Sequence, residues 1–237
     1  MQTQESLSSQ LASYKSGFIS RAPASRVAMM EAATADLKST GIESTALTVG
    51  DRAPSFSLPD ATGELISVDQ LLGKGPVVAI FYRGGWCPYC NLELRAWQAH
   101  LTELTNLGAT LVAISPQSPD NSLSTAEKNA LAFPVLSDSV LAAAHGFGIA
   151  FSLPPDLVDL YSSVGNNLPE LNGNGLWVLP VPATFVIDRS GVIQFAYVEA
   201  DYRERAEPDD VLAVIRRLGP KDFTRATEQA AALPLRG

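Results

Sequence analysis

Cysteine and histidine are scarce in this 237-residue chain, two of each, and basic residues are outnumbered: seventeen against twenty-five acidic, for a net charge of −8. No basic run exceeds Arg216-Arg217, so the electrostatic footprint of a nucleic-acid binder is missing. Long apolar runs are missing too. The longest, Val77 to Tyr82, is far short of the roughly 20 residues that cross a bilayer. The opening MQTQESLSSQ lacks the basic-then-apolar layout of a signal peptide, so the expected setting is the cytoplasm, with neither nucleic acid nor membrane as a partner. No G-x-G-x-x-G follows a predicted strand, which removes a flavin or nicotinamide site, and no cofactor is expected.

Almost half the residues are apolar, enough to bury a core. In residues 1–41, Leu7, Leu11, Tyr14 and Phe18 repeat at helical spacing. Pro23 stands where a second helix can begin, Val27, Met30 and Leu37 continue the stripe, and Gly41 ends it. Such a stripe must be covered, by the core or by a second copy of the chain in a homodimer. From Leu47 short apolar pieces alternate with Pro and Gly, predicting a hairpin-like lead-in and a short helix over 68–72. Buried strands are predicted in GPVVAIFYRGG, GATLVAISPQS and FPVLSD. Two more, in ATFVIDRSGVIQFAYVE, are joined by the turn Asp188-Arg189-Ser190-Gly191. Helices are predicted over 88–106, 123–130, 138–146 and in PDDVLAVIRRLG. The expectation is α/β architecture with a central mixed sheet, parallel in the middle and antiparallel at one edge, flanked by helices. We expect a helical arm over 1–46 and a domain over 47–237, with an insertion around 153–181 read as a helix and a long loop.

Both cysteines lie in RGGWCPYCNLEL, Cys87 and Cys90, where the first buried strand meets the 88–106 helix. A cysteine at a helix N-terminus sits among unpaired backbone N–H groups that favour an anion. Cys87 is therefore the expected nucleophile, with a thiol pKa below the usual ~8.5, and Cys90 the thiol that resolves it. Arg83 adds a positive charge nearby. Pro88 suits the first helical turn. Two blander readings stand beside this one. A structural zinc needs four ligands, and only His100 and His145 could join the cysteines, with no second paired cluster. Alternatively, two unreactive core cysteines happen to be neighbours. Glu93, one turn past Cys90, is either a proton acceptor during exchange or part of a solvated helix face. Trp86 covers the dithiol, forms a partner-docking surface or simply packs. Trp177 and Tyr161 either line the mouth of the site or form local core. Ordinary surface or core roles are expected for His100 and His145.

FYRGGWCPYC with VPATFVIDRSGVI resembles the thioredoxin superfamily. VGDRAPSFSLPDATG and LVAISPQSPDNSLSTAEKNALAFPVLSD are similar to its peroxiredoxin-like branch, the alkyl hydroperoxide reductase and thiol-specific antioxidant family. The likeness covers about residues 47–218 and implies a thioredoxin-like fold with Cys87 as the attacking cysteine. It also implies that Val181-Pro182 carries a cis peptide bond facing the cysteines, so that the Val181 backbone pairs with an extended substrate. Family positions for a Thr or Ser, a Pro and an Arg hold Gly84, Ile80 and Pro182 instead. Two lost charge-assisted contacts to a peroxide would be worth on the order of 10² to 10⁴ in rate. The sequence therefore leans slightly to a thiol-disulfide oxidoreductase acting on protein or small disulfides. The alternatives are a thiol peroxidase acting on hydroperoxides and a non-catalytic redox-sensing module. Either enzyme needs a thioredoxin- or glutathione-type reductant.

Overall fold

The computed structural model describes residues 5–219. In chain order it contains α1 (Leu7–Arg21), α2 (Ala24–Ser39), α3 (Ile42–Thr45), β1 (Ser57–Pro59), β2 (Leu65–Ser67), α4 (Val68–Lys74), β3 (Val77–Phe81), α5 (Pro88–Asn106), β4 (Thr110–Ser115) and α6 (Pro119–Lys128). Then come β5 (Val135–Ser137), α7 (Ala142–Gly146), β6 (Ala150–Ser152), α8 (Pro155–Ser163), α9 (Leu168–Asn172), β7 (Val178–Pro180), β8 (Ala183–Ile187), β9 (Ile193–Val198) and α10 (Pro208–Leu218).

Five strands form the central sheet in the order β5-β4-β3-β8-β9. β3 and β4 run parallel, as do β4 and β5, whereas β8 is antiparallel to both β3 and β9. The sheet is thus parallel on one side of β3 and antiparallel on the other, which places the change of sense at the middle and not at an edge. Being flanked on both sides and covered on both faces, β3 is wholly buried. Its alternate residues feed two cores, as a two-residue period requires. Val78, Ile80 and Tyr82 pack under α1, α5 and α10, while Val77, Ala79 and Phe81 pack with Phe147 and Phe185 on the opposite face.

The ends of α5 follow from local chemistry. Cys87 is its N-cap, Pro88 takes a position with no partner for a backbone donor, and Gly108 at φ +77° turns the chain away. Leu94, Trp97 and Leu104 make its buried face. Leu7 and Leu11 of α1 bury almost completely in the same core, worth about 1.5–3 kcal/mol each. Tyr14 stands edge-on to Tyr89 at 5.0 Å. The carboxylate of Glu207, the N-cap of α10, accepts from the Leu7 and Ser8 N–H groups at 3.1 and 2.6 Å. The α1 part of the apolar stripe is therefore covered by the chain's own core. α2 has no fully buried residue. Its holds are Glu31 to Arg203, Lys38 to Glu199 at 2.8 Å, and the contact of Met30 with Tyr202.

Residues 153–181 are more regular than a helix and a long loop. They hold α8, α9 and β7, and β7 pairs antiparallel with β6. Pairing continues past β7, where the Val181 N–H donates to the Ile149 carbonyl at 2.8 Å. The chain runs extended from β7 through Pro182 into β8, with no tight turn for a cis bond to build. No cis peptide bond occurs among the described residues. The expected cis Val181-Pro182 bond is thus corrected, and so is the free Val181 backbone edge. No helix among the described residues is long and apolar enough to cross a membrane.

Candidate functional site

β3 delivers the chain to a loop, residues 82–87, that is fastened at several points. The Tyr82 N–H donates to Ile114 O at 2.9 Å, and Cys87 N–H donates to Gly84 O at 3.0 Å. Gly85 donates its N–H to Gln117 Oε1 at 2.7 Å and accepts at its carbonyl from Asn91 Nδ2 at 2.8 Å. Asn91 is held in turn by Asn129, and Asn129 by Arg95. Gly84 adopts φ +147°, and a Cβ there would fall on the Trp86 indole; a Cβ on Gly85 would fall on the Thr125 hydroxyl. Both glycines are required by the space, and together they fix where the cysteine backbone starts.

Cys87 and Cys90 are free thiols with 1% and 0% exposure. Burial pushes the Cys87 thiol up. The hydrogen bond from Cys90 and the guanidiniums of Arg83 and Arg205 outweigh it and bring the pKa down to about 6. Cys90 moves the other way, well above the usual thiol range, because it is buried and its proton is shared with Cys87. Under Cys90, Arg205 donates Nη2 to the sulfur at 3.3 Å and Nε to Glu93 Oε2 at 2.5 Å. Glu93 is fully buried, so the solvated-face reading is wrong. Burial raises its carboxyl to about 7 against the pull of Arg205.

Arg83, 4% exposed, sits in an aromatic cage. Its Cζ lies 4.4 Å from the Tyr202 ring centroid, 5.0 Å from Trp86 and 5.5 Å from Tyr161, and it donates to the Tyr161 hydroxyl. A cavity of about 260 Å³ opens on Cys87, walled by the cage, by α1 through Tyr14 and Phe18, by α2, and by α8. A second cavity of about 210 Å³ shares Arg83, Tyr161, Tyr202 and Met30 with it, and Pro182 lines that one. The structure thus brings Cys87, Cys90, Arg83, Trp86, Glu93 and Tyr161 together. Val181 is buried and occupied by Ile149. Trp177 packs into the small core of Tyr161, Leu168 and Leu179. His100 bonds Ala96 O and faces Asp209, and His145 is exposed on α7.

A family model described as AhpC/TSA matches residues 49–196. The chain belongs to the AhpC/TSA family. A putative peroxiredoxin of Mycobacterium tuberculosis is 35% identical over 109 residues, 45% of this chain and 69% of that protein. Chloroplastic peroxiredoxin Q of Triticum aestivum is 28% identical over 198 residues, 84% of this chain and 80% of its own length. Among solved structures, peroxidoxin BcpB of Mycobacterium tuberculosis superposes with a TM-score of 0.58 at 26% identity, covering 73% of this chain and 98% of that one. This AhpC/TSA member is accordingly an enzyme, a thiol-dependent oxidoreductase of the peroxiredoxin kind with the thioredoxin-like fold. The arm, which roofs the cavity, lies outside the matched residues, and so does Arg205. Sequence reasoning passed over Arg205: in YRERAEP it reads as one charge in a solvated loop, and only the fold carries it to Cys90.

Proposed function

We propose that this protein is a dithiol peroxidase in which Cys87 reduces a hydroperoxide and Cys90 resolves the product. Residues 1–46 form an arm on a catalytic domain, 47–237. The Cys87 thiolate attacks the terminal oxygen of ROOH. The O–O bond breaks, the alkoxide leaves as ROH with a proton, and Cys87 becomes a sulfenic acid. The Cys90 thiol then attacks the Cys87 sulfur, releasing water and forming a Cys87–Cys90 disulfide. N-cap and third helical residue are one turn apart, so this bond closes across the first turn of α5. A thioredoxin- or glutathione-type thiol restores the dithiol. Arg83 and Arg205 hold the thiolate. Arg83 also faces the peroxide, in the place of the family arginine that Pro182 replaces, and Glu93 takes the proton that Cys90 loses and hands it to the departing hydroxide, which leaves as water.

Burial carries this reading. With Cys87 1% exposed at the end of a cavity of about 260 Å³, a small peroxide reaches the sulfur, whereas a protein disulfide does not. The backbone edge that an extended disulfide substrate would pair with is taken by Ile149. Disulfide reduction, the lean of the sequence, is the less supported activity. The test is hydrogen peroxide and insulin presented separately to the reduced protein, with Cys87→Ser as control. Peroxide loss with one disulfide formed per turnover is expected; insulin reduction without peroxide loss would overturn the proposal.

A further inference from the structure

The cavity over Cys87 has an unusual charge for its molecule. The chain carries a net charge of −8, yet among the described residues no Asp or Glu lines this cavity and two arginines do, Arg83 and Arg26. Arg83, held in the aromatic cage and donating to Tyr161, serves the Cys87 end of the cavity. Arg26, half-buried on α2, has no hydrogen bond or ion pair on its side chain among the described residues. Stability does not account for it. It lies in the first turn of α2, which has no acidic residue there, and a cation at that end of a helix opposes the helix dipole. A free guanidinium at the rim of an apolar, aromatic-walled cavity binds an anionic group on a ligand whose body fills the cavity. A cavity of about 260 Å³ is at the small end of ligand sites, so the ligand is compact.

We propose that Arg26 recognises a carboxylate on the substrate, making the preferred oxidant a compact organic hydroperoxide with a carboxylate remote from its O–O bond. The proposal rests on the peroxidase reading. Arg26 is a specificity residue and not a catalytic one: it binds the far end of the substrate while Cys87 attacks the near end. A carboxylate-bearing thiol reductant shares this chemistry, so the test omits reductant.

The fully reduced, full-length protein is oxidised in a single turnover by para-carboxycumene hydroperoxide and, separately, by its methyl ester. The acid is expected to react about tenfold faster than the ester at limiting concentration, one charge-assisted contact at a half-exposed site. This ratio falls to near one in Arg26→Ala and is intermediate in Arg26→Lys. A ratio near one in the wild type, or one that survives Arg26→Ala, overturns the proposal. Binding of para-isopropylbenzoate, which carries no peroxide, is followed by calorimetry with the same variants. Loss of that binding in Arg26→Ala, in a protein that consumes no peroxide, would leave the carboxylate site standing and remove the peroxidase reading. Binding indifferent to Arg26 removes the carboxylate site whatever the protein does to peroxides.

Discussion

Arg205 donates Nη2 to the sulfur of Cys90 across 3.3 Å. The same guanidinium holds Glu93, whose second oxygen, Oε1, is buried without a hydrogen-bond partner among the described residues. One cation thus serves a thiol that must lose its proton and a carboxyl that can take it.

Glu93 makes stability depend on pH. Its carboxyl titrates near 7 in the folded protein and at about 4.3 when unfolded. Between those values the folded state holds a proton that the unfolded state has released, so stability falls as pH rises through that window, by on the order of 3–4 kcal/mol. Urea midpoints measured across the window should decline in the wild type and stay flatter in Glu93→Gln. The same variant should slow disulfide closure more than the first oxidation of Cys87.

Cys87 should alkylate and react with peroxide at rates that rise with pH through about 6 and level off above, since its thiolate is the reacting form. Arg83→Gln removes one of the charges that lower this pKa, and the inflection should move up. An unchanged inflection would separate Arg83 from the thiolate.

Leu11→Ala should cost about 2–4 kcal/mol, because the site lies under α1 and cannot collapse onto solvent. Thermal unfolding measures it. Deleting residues 1–41 should lower the melting temperature further and speed alkylation of Cys87 by bulky reagents, since α1 and α2 supply one wall of its cavity.

Restoring the family hydroxyl by Gly84→Thr should not raise peroxide turnover. The residue holds φ +147° and its Cβ would displace the Trp86 indole. Strain of about 1–3 kcal/mol is expected, with slower reaction of Cys87, read by chemical denaturation and alkylation on the same sample.

Where local chemistry decides a feature, the sequence shows it. The bounds of α5 follow from Pro88 and Gly108, and β3 from five consecutive apolar residues, three of them β-branched. Where distant residues decide, it does not. Glu93 sits in the helix like any exposed glutamate until Arg205, 112 residues on, meets it. The strands β6 and β7 are three residues each, β6 followed closely by Pro154 and Pro155 and β7 ending at Pro180, so they resemble loop. The thioredoxin-type motif predicted a cis bond at Pro182, but the Val181 N–H pairs with Ile149 and the bond is trans.

The Glu207 carboxylate that caps α1 has a consequence for how the enzyme is made. Translation proceeds from the N-terminus, so the first helix emerges two hundred residues before the group that satisfies its Leu7 N–H. Cys87 leaves the ribosome well before Glu207. The seam between α1 and the start of α10, and with it the seating of Tyr14 and Phe18 over the cavity, closes only once Glu207 is out. Between those two moments the Cys87 thiol lacks the wall that a seated α1 gives its cavity.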